Sequence, residues 1–206
     1  NDWTSEYTEK ALISISNIYL KNKQYNEAIV HLKKLEIASE YKANYQFAIK
    51  NLMRAYQEIN VPDQTLKYAD LIKGYEKSSD QDRYLASLFA GKAFLLTNDT
   101  IAAKKELEDL VKKSKTIEAA EAKYLIAELE YIKKDFKGSQ KTLFDLINNM
   151  PNYDYWVAKS FILLADNYVA LKDNFQAKST LNSVLENYEG DDDILPTAKE
   201  KLEKLK

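Results

Sequence analysis

His31 is the only histidine in this chain of 206 residues, and there is no cysteine. An imidazole can serve as general base, proton shuttle or metal ligand, but each role needs partners: a carboxylate or nucleophile within reach, or further nitrogen and sulfur ligands. His31 lies inside "NEAIVHLKKLEIA" with no second His or any Cys to join it, so it reads as a surface or rim residue. The run "GDDD" at 190–193 invites a calcium reading. It lacks the spaced D-x-D-x-D-G pattern of a calcium loop, and acidic residues just ahead of a helix are favoured by the helix dipole. No Gly-rich phosphate loop, nucleophile elbow or paired catalytic carboxylates appear. The expectation is a protein with no catalytic residues, no metal site and no cofactor, and so not an enzyme.

Binding is then the remaining kind of chemistry, and charge narrows it. Thirty basic and 32 acidic residues give a net charge of -2, with the two signs interspersed. Nucleic-acid binders need a basic excess or stripe to displace counterions, so no nucleic acid is expected as partner. No apolar run approaches the roughly 18 residues that cross a bilayer. The densest, "SFILLA" at 160–165, is far too short, and no membrane insertion is expected. Only 4 Gly and 3 Pro in the chain argue against a strand-rich fold with many tight corners and for an all-α one.

The elements that must position any binding residues show as a repeat. Ser16, Met53, Gly91, Ala127 and Ala165 stand at steps of 37, 38, 36 and 38 residues, and the same steps separate Ala28, Thr65, Ala103, Ser139 and Ala177. Two further columns are Leu32, Ala69, Leu107, Leu143, Leu181 and Leu35, Ile72, Leu110, Leu146, Val184. An aromatic column runs Tyr19, Tyr56, Phe94, then Glu130, then Tyr168. Within each unit the apolar positions recur at three and four residues in two runs, the helical period, broken by short polar turns such as "KNKQ", "INVPD" and "TNDT". Asn60 and Asn98 suit the left-handed residue that ends a helix, and Pro62 suits the first turn of the next. Each unit is a helical hairpin. A small residue in each helix lets the two backbones approach, and neighbouring hairpins must stack to bury what one alone leaves exposed.

These columns resemble the tetratricopeptide repeat, whose signature runs W-x2-L-G-x2-Y, then A-x3-F, then P. The matches are Leu12, Ile15, Ser16, Tyr19, Ala28 and Leu32 in the first unit, Ser87, Ala90, Gly91, Phe94, Ala103 and Leu107 in the third, and Phe161, Leu164, Ala165, Tyr168, Ala177 and Leu181 in the fifth. Pro151 stands where the motif's proline belongs in the fourth. Glu130 departs from the aromatic column, and Tyr131 beside it is expected to take over that packing. The resemblance implies an all-α, right-handed superhelical solenoid of about five hairpins, at approximately 9–41, 46–78, 84–116, 120–152 and 158–190, with a capping helix over 195–206 introduced by Pro196, all in a single array over 1–206. Since "NDWTSEYTEK" leads almost directly into the first repeat without an initiating Met, further repeats are expected ahead of Asn1 in a longer protein. The segment "YWVAKSFILLADNYVALKDNFQAKSTLNSVLENYEGDDD" is similar in style to the C-terminal repeats of large envelope-associated tetratricopeptide proteins of Bacteroidetes-type bacteria. That likeness leans towards a periplasmic or envelope-associated bacterial protein.

In this family the first helix of each hairpin lines a concave face that meets the ligand. The residues just after the small column are Asn17, Arg54, Lys92, Glu128 and Asp166, and three before it stand Ile13, Lys50, Leu88, Tyr124 and Ile162. The resemblance thus implies a partner-binding face of Asn17, Lys50, Arg54, Lys92, Tyr124, Glu128, Tyr131 and Asp166, running from amide and basic to acidic, with Tyr124 and Tyr131 as aromatic anchors for a protein or peptide partner. The family's clamp for a terminal carboxylate is not expected: Asn17 and Asn51 match its amide positions, but Ile13, Leu85 and Phe89 stand where the basic ones belong. The expected function is a non-catalytic protein-interaction scaffold. The alternatives are a sensory or regulatory arm of a larger multidomain protein, or a structural module that self-associates.

Overall fold

The computed structural model describes residues 3–205; Asn1, Asp2 and Lys206, the ends of the expected array and of its capping helix, lie outside the described residues. Among the described residues there are eleven α-helices and no strand. In order they are α1 Trp3–Lys21, α2 Tyr25–Ala38, α3 Lys42–Glu58, α4 Pro62–Gly74, α5 Asp80–Leu96, α6 Thr100–Lys113, α7 Ile117–Ile132, α8 Phe136–Asn149, α9 Asp154–Ala170, α10 Asn174–Asn187 and α11 Ile194–Glu203. Five helical hairpins followed by a final helix are what the column spacing predicts. The chain divides into two compact units, one ending at Glu106 and one beginning at Leu107, within α6.

The tight turns share one geometry. Lys23, Asn60, Asn98, Lys134 and Lys172 all hold φ between 55° and 63°. A left-handed residue there turns the chain so that the next amide donates back to the carbonyl five residues earlier, capping the helix end. Accordingly the N–H groups of Gln24, Val61, Asp99, Asp135 and Asp173 donate to the carbonyls of Tyr19, Tyr56, Phe94, Glu130 and Tyr168 at 2.8–3.0 Å. The aromatic column therefore also marks the carbonyl that closes each hairpin, and Glu130 keeps that backbone role although its side chain is different. The same turn starts the next helix. Asp99, Asp135 and Asp173 each accept from the backbone N–H three residues on, at 3.0 Å, satisfying donors that have no intrahelical acceptor. At Gly138 a Cβ would lie 2.2 Å from the Asp135 carboxylate as it stands, so a larger residue there requires the carboxylate to shift, as at the equivalent caps over Ala102 and Gln176.

In the first unit the core joins Ala28 and Leu32 of α2 to Ile49, Leu52 and Met53 of α3, Tyr68, Ala69 and Ile72 of α4, and Ala86 and Ala90 of α5. Ala28, Leu32 and Met53 are fully buried, each large side chain contributing about 1.5–3 kcal/mol over the exposed state. Two buried polar side chains in this unit, Glu9 and Tyr68, are paired across helices. Glu9 of α1 accepts from the Glu40 N–H at 3.0 Å and from Asn44 Nδ2 at 2.6 Å. Tyr68 donates to Glu36 at 2.8 Å, accepts from Lys33, and stacks on Tyr56 at 5.8 Å.

In the second unit Tyr124, Ala127, Leu143, Leu146, Leu163 and Leu164 form one cluster, with Tyr131 packed against it. Tyr131 also meets the Phe136 ring at 5.5 Å, while the Glu130 carboxylate accepts from Thr142 Oγ1 at 2.7 Å. A second cluster builds from Ala158, Ile162, Ala165, Ala177, Leu181 and Val184 and is completed by Ile194 and Ala198 of α11. The last helix is thus part of the core rather than a detachable tail. Asn167 is fully buried, and its Nδ2 donates to Ser139 Oγ at 3.0 Å and to the Leu163 carbonyl at 2.8 Å, tying α9 to α8.

Candidate functional site

Helical period brings one stripe of α7 and one of α9 to the same surface. Tyr124, Glu128 and Tyr131 lie three and four residues apart on α7, and Lys159, Ile162, Leu163 and Asp166 do so on α9. Together with Asp193, Ile194, Thr197 and Lys201 near and on α11 they enclose a cavity of about 340 Å³. Four of the eight residues expected at the binding face, Tyr124, Glu128, Tyr131 and Asp166, line it.

Charge in this cavity is distributed unevenly. Lys201 Nζ donates to both oxygens of Asp166, at 2.8 and 2.9 Å, so that carboxylate is neutralised from within the chain. Glu128 accepts only a long 3.4 Å contact from the Tyr124 hydroxyl. Tyr124 is nearly buried. Its phenol is pushed up from the ordinary tyrosine value first by burial and then by the charges of Glu128 and Asp166. Rather than projecting as an anchor, its ring forms a floor, covered by Trp156 at 5.6 Å. Tyr131 is half-buried and Ile132 is 67% exposed at the cavity's edge.

Lys159, Tyr155, Trp156 and Lys201 were not singled out from the sequence. The Lys159 ammonium lies 5.4, 5.1 and 5.5 Å from the ring centres of Tyr124, Tyr155 and Trp156, a cation held by aromatic faces. It donates to the Tyr155 hydroxyl at 3.0 Å, which in turn donates to Asp193 at 3.1 Å. The available signal was spacing: Lys159 precedes Asp166 by seven residues, two helical turns on one face.

The other four expected residues belong to the first unit and line neither this cavity nor a larger one of about 570 Å³ on the α9–α10 hairpin. Asn17 and Arg54 are exposed on α1 and α3. Lys50 is ion-paired with Asp82 of α5, and Lys92 is half-buried with its ammonium 5.9 Å from the Phe89 ring. His31 is half-buried and stacks on Tyr19 at 5.4 Å with an interplanar angle of 12°. In "GDDD", Asp192 accepts from the Ile194 N–H at 3.0 Å and from the Tyr188 hydroxyl. Asp193 accepts from Tyr155, so two of the three acids are engaged at the start of α11. Among the described residues no three His, Cys, Asp or Glu side chains are grouped to hold a metal ion, and no helix is long and apolar enough to cross a membrane.

The arrangement of hairpins is shared with solved structures. The MamA protein structure superposes with a TM-score of 0.66 at 16% identity, covering 96% of this chain and 94% of that one. The C-terminal part of a TPR repeat-containing protein from Cytophaga hutchinsonii gives 0.65 at 21% identity, covering 83% of this chain and 62% of that one. A thermophilic TPR protein of Thermus thermophilus gives 0.59 at 12% identity, covering 94% and 98%. No family model matches the sequence, and no curated protein matches it. The chain has the tetratricopeptide-repeat fold, as the columns of small, aromatic and leucine residues imply.

Proposed function

We propose that the chain is a non-catalytic scaffold that binds a protein or peptide partner through the first helices of its hairpins, with the α7–α9–α11 cavity as the principal contact in the second unit. The observation that carries this reading is the meeting of Tyr124, Glu128 and Asp166, chosen by repeat register, with Tyr131 around one 340 Å³ cavity. A cavity of that size with apolar walls and a few polar groups suits one or two side chains of a ligand. An apolar side chain of the partner enters against Tyr131, Ile132, Ile162 and Leu163, and Glu128, which has only the long tyrosine contact, accepts a donor from the same ligand. On the first unit, the exposed Asn17 and Arg54, with Lys92, are proposed to meet ligand in the same manner.

The test is selection of random twelve-residue peptides displayed on phage against the chain, followed by binding of the enriched peptides to a Glu128→Lys, Ile132→Asp variant. Both side chains lie at the cavity edge, so circular dichroism is expected to be unchanged. Affinity is expected to fall at least tenfold, about 1.4 kcal/mol. Equal binding by the variant would remove the cavity from the function.

A further inference from the structure

The larger cavity, about 570 Å³, lies away from the positions that repeat register selects. Its floor is apolar, made by Val157, Ala158 and Phe161 of α9 with Val184 of α10, and Tyr188 walls it. Asp154 in the first turn of α9 and Glu189 just after α10 also line it, and no lysine, arginine or histidine does. Neither acid's side chain takes part in a hydrogen bond or ion pair among the described residues. Other carboxylates of the chain, such as Asp82, Glu106, Asp145 and Asp166, have a lysine partner.

The wall is fixed in place. The Tyr188 hydroxyl donates to Asp192, and its ring lies so close to Gly190 that a Cβ there would come within 2.3 Å of the phenol oxygen. Any other residue at 190 would push the ring out of its position. The phenol is pushed up to about 12, first by burial, then by the hydrogen bond and charge of Asp192, with Asp154 adding to it. Negative potential therefore converges on an apolar, aromatic-walled recess that holds no cation of its own.

We infer that this recess on the α9–α10 hairpin is a second binding site, which takes an arginine side chain of a protein partner. The aliphatic stem and flat guanidinium lie against Phe161 and Tyr188, and the charge is met by Asp154 and Glu189. A guanidinium suits this combination because it is weakly hydrated, stacks on aromatic faces and pairs with carboxylates in its own plane. The site is independent of the α7–α9–α11 cavity.

The experiment is titration of the full chain, labelled with 15N, with the capped peptide Ac-Ala-Ala-Arg-Ala-Ala-NH2, and with the same peptide carrying Ala or Glu in place of Arg. The arginine peptide is expected to shift the amides of Val157, Asn187 and Gly190 saturably, and the control peptides to leave them in place. An Asp154→Asn, Glu189→Gln variant is expected to bind about tenfold more weakly. Raising salt from about 50 to 300 mM is expected to weaken the wild-type interaction several-fold, a readout that needs no variant to fold. Equal shifts with the alanine peptide would make the recess a merely apolar groove and overturn the assignment. So would shifts confined to Ile132 and Thr197 at the other cavity, or binding indifferent to salt. Loss of peptide selection at the α7–α9–α11 cavity would leave this result unaffected, so the two proposals fail separately.

Discussion

Lys201 of α11 holds both carboxylate oxygens of Asp166 on α9, at 2.8 and 2.9 Å. Both groups are about a third exposed, so the pair is solvent-screened, and its value is set more by what it positions than by its energy. Exposed pairs contribute about 0.2–1 kcal/mol. Lys201→Met is therefore expected to lower stability by no more than about 1 kcal/mol in urea denaturation. Its larger effect is to free the Asp166 charge in the cavity, so a peptide that binds there is expected to gain affinity on addition of a basic residue. A loss of several kcal/mol would mean that α11 depends on this contact and not on Ile194 and Ala198.

The small column is predicted to tolerate no enlargement. Ala28 and Ala165, the first fully buried and the second 1% exposed, stand where paired helices approach. Ala28→Leu and Ala165→Leu are each expected to cost about 1–3 kcal/mol, the usual range for overpacking, whereas Ala170→Leu at an exposed position is expected to stay within about 0.5 kcal/mol. Chemical denaturation of the three variants measures this. Equal behaviour of all three would show that close helix approach is not what the column provides.

Three of the left-handed turn residues are lysines, which carry a steric penalty that glycine avoids. Lys134→Gly and Lys172→Gly are expected to stabilise by a few tenths to about 1 kcal/mol, the relief of strain exceeding the added freedom of the unfolded chain. Asn60→Gly is expected to gain less, because asparagine already tolerates this region. Destabilisation of all three variants would contradict the turn geometry.

The acid limb of stability has a defined sign. Burial alone would raise the Asp82 carboxyl, but hydrogen bonds from Lys50 and Ser79 outweigh it and hold the group below its ordinary value. Asp145 is lowered first by its hydrogen bond from Lys123. A carboxyl depressed by folding contributes stability that is present above its unfolded value, about 4, and lost as pH falls through the folded value. Unfolding free energy is expected to decline below about pH 4, and Asp82→Asn to flatten that decline. At the other end the buried Tyr68 phenol is raised by burial and by Glu36. It resists ionising where the unfolded chain's tyrosines ionise, so stability falls as pH rises past about 10, and Tyr68→Phe reduces that slope. Denaturation curves across pH test both limbs.

Much of the fold was legible because a hairpin repeats its needs at fixed steps. Small residues at Ala28, Ala103 and Ala177 and leucines at 32, 107, 143 and 181 are physical requirements of close packing, so they recur. Asn60 and Asn98 disclosed two left-handed turns by residue type. Lys23, Lys134 and Lys172 did not, because lysine has no preference for that conformation and only the register places it there. The candidate cavity was legible for positions fixed by register, such as Glu128 and Asp166. Lys159 and Lys201 were hidden because their roles depend on where long, flexible side chains reach and on how α11 docks, neither of which a periodic pattern encodes. Nor does the register disclose that Lys50 is ion-paired with Asp82 of the next hairpin.

The most direct test of the binding account is the site of contact itself. An enriched peptide carrying a benzophenone is photo-crosslinked to the chain, and the attached residues are located by mass spectrometry. Attachment at Tyr131, Ile132, Ile162 or Thr197 is the predicted result. Attachment confined to the outward sides of α8 and α10, or equally spread over the surface, would contradict it.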